Sequence, residues 1–111
     1  MEKKFEVIFL DQAIDFMNNL DPKTQNKIYY NIDKAKLIND AKLFKKLEDD
    51  IWELRTKFSG LQYRLFSFWD KTEKTETLVL ATHGIIKKVG KVPKKEIEKA
   101  KKIRTEYFEQ K

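Results

Sequence analysis

From residue 51 the chain changes period, and that change decides what it can build. In Ile51-Trp52-Glu53-Leu54-Arg55-Thr56-Lys57-Phe58, an extended chain puts Trp52, Leu54 and Phe58 on one face. Glu53, Arg55 and Lys57 fall on the other. Ser59-Gly60 is a turn signal, and Leu61 to Trp69 reads as a second strand, rich in aromatic residues. Residues 70–76 contain no apolar side chain and read as a loop, and Thr77 to His83 forms a third strand. Together these predict an antiparallel meander.

Ahead of the meander, Lys4 to Phe9 reads as a first strand. Asp11 is a good N-cap for a helix whose apolar positions are Ala13, Ile14, Met17 and Leu20. Asp21-Pro22 ends it and opens another, with Asp as the cap, Pro in the first turn, and Ile28, Ile32 and Ala35 as the stripe. Leu43 to Leu47 is a short segment leading into the acidic Glu48-Asp49-Asp50. Pro93 suits the first position of a last helix, with Ile97, Ala100, Ile103 and Tyr107 on one side. The expected order is β-α-α-β-β-β-α, an α+β fold with helices packed on an antiparallel sheet, a single domain over 1–111.

Size and charge narrow the function classes. A chain of 111 residues is enough for one domain and too short for two. Cysteine is absent, so disulfides, thiolate metal sites and cysteine nucleophiles are excluded. No apolar run approaches a membrane span and no signal-peptide pattern opens the chain, which predicts a cytoplasmic protein. The net charge is +6, and residues 83–111 account for all of it, with ten basic and four acidic side chains. That predicts either a patch facing a polyanion or a solvated lysine-rich helix.

With one histidine and no calcium-loop spacing, no metal site is readable, and no cofactor is expected. No glycine-rich phosphate loop is present. What remains is basic. Arg64 lies inside Tyr63-Arg64-Leu65-Phe66, with Gln62 and Phe66 on its face. A guanidinium there is costly to bury unpaired. It must pair with a carboxylate, such as Glu53 or Asp70, or face a cleft that admits an anion. Arg55 sits on the charged face of the neighbouring strand, His83 ends the third strand, and Lys87 and Lys88 follow where a loop leaves the sheet. Each has an ordinary structural or solvent-exposed explanation. As a set, they can converge on one sheet face and its edge. Metal-free RNA cleavage needs such a set: a base for the ribose 2′-hydroxyl, cations for the crowded phosphate, and an acid for the leaving 5′ oxygen. Arginine forks suit the phosphate, and His83 alone titrates near neutrality unperturbed.

Four successive motifs resemble a known family. Trp52-Glu53-Leu54-Arg55, Tyr63-Arg64-Leu65-Phe66, the stretch from Leu78 through His83-Gly84-Ile85-Ile86-Lys87-Lys88, and Pro93 to Ala100 look like those of phage-derived HigB-like toxins. These belong to the RelE/ParE toxin–antitoxin superfamily, and the likeness spans almost the whole chain. It implies a RelE-like fold and ribosome-dependent, metal-independent cleavage of messenger RNA. Its implied partners are the ribosome, mRNA and a helix-turn-helix antitoxin through which operator DNA is bound. Arg64, His83, Lys87 and Arg55 are then the catalytic candidates, and Lys88, Lys91, Lys57 and Lys94 the candidates for holding RNA. Ile51 and Glu53 stand where better-studied relatives carry lysines, and no tyrosine lies between His83 and Tyr107. Two other readings stay open: a ParE-like toxin that inhibits DNA gyrase by binding, and a non-catalytic nucleic-acid-binding module using the aromatics of the second strand.

Overall fold

The structure is a computed structural model that describes residues 5–38, 40–72, 77–87 and 91–110. Its elements run β1 (Glu6–Phe9), α1 (Asp11–Asn18), α2 (Pro22–Leu37), β2 (Phe44–Glu48), β3 (Ile51–Phe58), β4 (Leu61–Asp70), β5 (Thr77–Lys87) and α3 (Lys94–Glu109). The fold is α+β, with three helices on a sheet of order β1-β5-β4-β3-β2. Strands β2 to β5 are antiparallel, and β1 joins the edge of β5 in parallel, Glu6 opposite Thr77 through Phe9 opposite Leu80.

The hairpin between β3 and β4 turns on Ser59 (φ 53°) and Gly60 (φ 78°). Two successive left-handed residues match the twist of the flanking strands, as the turn signal implies. From Tyr63 to Phe68 every side chain of β4 is buried, whichever face it points to. The reason is cover on both sides: α1 and α2 lie on one face of the sheet and α3 on the other. Leu54, Tyr63 and Leu65 pack with Met17, Ile28 and Ile32 on the first face. Ile51, Phe66 and Phe68 pack under Ala100 of α3 on the second. A strand covered twice loses the apolar–polar alternation, as Leu65-Phe66 and Phe68-Trp69 show by placing apolar side chains on both faces.

Four details differ from the sequence expectation. The observed order is β-α-α-β-β-β-β-α, because residues 44–48 form an additional strand, β2, paired to β3 with an irregularity between Lys46 and Glu48. The last strand does not end at His83 but runs on to Lys87. Leu10, not Asp11, occupies the cap position of α1, and no side chain caps that helix. In α3, Pro93 is itself the cap residue and the helix begins at Lys94. The Asp21-Pro22 start of α2 is as expected, with the Asp21 carboxylate accepting from Thr24 N–H at 2.8 Å. The break expected at Asn39-Asp40 falls partly on Asn39, outside the described residues.

Candidate functional site: a cationic cavity at the open end of the sheet

Register sets the problem that the site solves. Arg55 of β3 stands directly opposite Arg64 of β4, on the face that α3 partly covers. Like charges opposed across an antiparallel pair repel. Glu53, two residues earlier on the same face, resolves the conflict. Its carboxylate is fully buried, with one oxygen 3.1 Å from Arg64 Nη1 and the other 3.3 Å from Arg55 Nε. Arg64 Nη2 also donates to the Gln62 side-chain oxygen. Of the two carboxylates that the sequence offers Arg64, Glu53 is the one engaged. Asp70 instead accepts from the Tyr107 hydroxyl of α3 and from Thr72.

Both possibilities for Arg64 hold at once. The residue is only 5% exposed and paired, and it also lines a cavity of about 320 Å³. Lys45, Arg55 and Lys91 bring three more cations to this cavity, and Leu47, Val92 and Ile97 give it apolar walls. Among the described residues, the buried carboxylate of Glu53 stands against these four cations. Arg55 is shared with a smaller hollow of about 220 Å³ that includes Lys57 and Gln62. The basic surface therefore continues along the hairpin end of the sheet.

The remaining predicted residues divide. Lys87 pairs in register with Gln62 and donates to the Lys91 carbonyl, which ties the segment before α3 to the sheet at the cavity's edge. Lys94 is exposed on the first residue of α3 and lines none of these cavities. Lys88 lies outside the described residues.

His83 does not join the arginines, contrary to the expected convergence. Arg64 is opposite Ile85, so His83 sits two residues further along β5, roughly 7 Å away along the strand. There it lies under α3, with its ring 4.9 Å from that of Phe66 and Nε2 3.2 Å from a Glu96 oxygen. It lines a separate hollow of about 260 Å³ with Asp15, Phe16 and Lys99. Burial pushes its pKa below the ordinary 6.5, and the nearby Lys99 adds to this, while Glu96 opposes it.

Sequence reasoning missed Lys45, because its segment was not recognised as a strand. It offered Glu53 as a partner for Arg64, as observed, but missed that the same carboxylate also meets Arg55. Among the described residues no group of three or more His, Asp and Glu is placed to hold a metal ion.

A mixed sheet covered by helices on both faces, with a cationic cavity at its hairpin end, defines a small α+β domain of two thin cores. The family model of the phage-derived Gp49-like proteins (DUF891) matches residues 15–105, and the chain belongs to that family, one of RelE/HigB-like toxins in general. No curated protein and no solved structure matches the chain.

Proposed function

We propose that this chain is the toxin of a type II toxin–antitoxin pair and acts as a ribosome-dependent mRNA endoribonuclease that needs no metal. The observation that carries the reading is the pair Arg55 and Arg64, converging on one cavity with Lys45 and Lys91 and fixed by one buried carboxylate. Guanidinium groups held in place before substrate arrives are what a phosphate gathering charge in its transition state requires. In the reaction the ribose 2′ oxygen bonds to phosphorus, the bond to the 5′ oxygen breaks, and one proton leaves the first oxygen while another reaches the second. Arg64 and Arg55 take the non-bridging oxygens. Lys87, at the cavity's edge, is the candidate acid for the 5′ oxygen. Lys57, Lys88, Lys91 and Lys94 hold the flanking backbone. His83 acts as a positioning residue: through Glu96 it fixes the first turn of α3, whose Ile97 walls the cavity. A site with so few groups gains from a ribosome that orients the RNA for it. Family membership supports a helix-turn-helix antitoxin as the partner that silences the toxin and binds operator DNA.

The test is cleavage of mRNA on programmed ribosomes by the purified protein, compared with Arg64→Lys and Arg55→Ala. Loss of one preorganised cationic donor is expected to slow cleavage about 100-fold or more. Full cleavage by Arg64→Lys overturns the assignment of the phosphate site. Growth inhibition with intact mRNA and an induced DNA-damage response favours the gyrase-binding reading. In that case the Arg64–Glu53 pair serves the fold alone.

A further inference from the structure

At the other end of α3 lies a larger cavity, about 510 Å³, that the function above does not use. We propose that it is a second nucleic-acid subsite, which takes one base of a single strand together with its phosphate. Both tryptophans of the chain, Trp52 and Trp69, line it, and each is half-buried. They meet edge to face at 83°, and Phe44 stacks behind Trp52 with ring centroids 4.8 Å apart. Rings locked in this way offer a flat apolar surface with little rotamer freedom left to lose.

Three cations stand around these rings. Lys46 and Lys71 are exposed. Arg104 lies over the Phe108 ring at 5.1 Å and reaches Asp50 at only 3.4 Å, with the Asp50 side chain 64% exposed. That contact is long and solvated, so an incoming phosphate can compete with it. The Arg104 Nε is buried without a hydrogen-bond partner, so Asp50 does not satisfy the whole guanidinium. Aromatic faces beside cations are how single strands are held without sequence preference. An apolar ligand would not need the cations, and a free phosphate would not need the indoles.

The two cavities share one helix. Ile97 walls the arginine cavity and Arg104 the tryptophan cavity. Seven residues separate them, about 10 Å along the helix axis. One extended strand can therefore engage both. That the strand is RNA rests on the proposed function, but the site itself is tested without any cleavage.

Because both tryptophans line this cavity, intrinsic fluorescence reports on it directly. The experiment titrates hexa-adenylate carrying 2′-O-methyl groups, which cannot be cut, into the intact protein at about 0.1 M salt. Saturable quenching is expected. Lys71→Glu, at an exposed position with little bearing on folding, should weaken it at least about tenfold, and Arg104→Gln similarly. Lys23→Glu, the same charge change at an exposed position of α2 that lines neither cavity, should leave the quenching within about twofold. Absence of quenching, quenching indifferent to Lys71→Glu, or equal quenching by hexaglutamate overturns the subsite. Quenching that persists in a protein unable to cut mRNA keeps the subsite and rejects the nuclease. Cleavage without quenching does the reverse.

Discussion

Removing the Glu53 carboxylate leaves two guanidinium groups facing each other across β3 and β4 without their shared counter-ion. Glu53→Ala is therefore expected to lower unfolding free energy by about 3–5 kcal/mol, measured by urea denaturation. Replacing the buried pair together, Glu53→Leu with Arg64→Leu, should recover most of that loss, because apolar side chains of similar volume do not need the compensation. The same double variant should not cleave RNA, which separates the fold from the chemistry. That Arg64 must have a partner or a cleft was legible in the sequence, since an unpaired guanidinium mid-strand is too costly. Which carboxylate serves was not legible: Glu53 and Asp70 both lay within reach of the pattern, and only the register of β3 on β4 chooses between them. His83 carries a second expectation. Its pKa is depressed in the folded protein, so the unfolded chain takes up the proton first as pH falls. Its contribution to stability is complete above pH 6.5 and is lost progressively on acidification, down to the native pKa. His83→Gln should flatten the wild-type decline in melting temperature that sets in as pH falls below about 6.5.

At the scale of elements, the contact between α1 and β5 depends on a missing side chain. A Cβ placed on Gly84 would lie 2.5–2.7 Å from atoms of the Phe16 ring. Gly84→Ala should destabilise the domain by about 1–3 kcal/mol, and adding Phe16→Leu should return part of it, seen as a partial recovery of melting temperature. Elements written in local chemistry were readable. The α2 helix announces itself through Asp21-Pro22, and the β3–β4 hairpin through Ser59-Gly60 and the alternation before it. Strand β2 was not readable, because only five residues long it carries two adjacent lysines and resembles a loop. Its strand character comes from distant partners: pairing with β3 and the stacking of Phe44 on Trp52. The parallel joining of β1 to β5 has no local signature either, since it closes a loop around the rest of the domain. The site inherits this uneven legibility. Residues on β3 and β4 were found, whereas Lys45 on β2 was not.

For the whole molecule, the net charge of +6 is less informative than where cations gather without counter-ions. Two cations of α3 have acidic partners on the β2–β3 side: Lys101 lies 2.7 Å from Glu48 and 2.8 Å from Asp49, and Arg104 lies 3.4 Å from Asp50. A solvated lysine-rich helix thus describes the middle of α3, while the two cavities lie towards its ends. Among the described residues the arginine cavity holds four cations over one carboxylate, a net of three. The tryptophan cavity, counted in the same residues, holds three over one, a net of two. Salt dependence of single-strand binding counts such charges, because each neutralised phosphate releases its counter-ions. At about 0.7 per phosphate contacted, a dinucleotide with its single phosphodiester in the arginine cavity should give a log–log slope of roughly −0.7, and an octamer that spans both cavities and meets about five phosphates roughly −3.5. The measurement compares a dinucleotide, too short to span, with an uncleavable octamer. The slope should steepen from the first to the second, and Lys71→Glu should bring the octamer back towards the dinucleotide value. Equal slopes for the two lengths would mean that the cavities do not act on one strand. The basic character of the chain would then serve a single phosphate grip at Arg55 and Arg64.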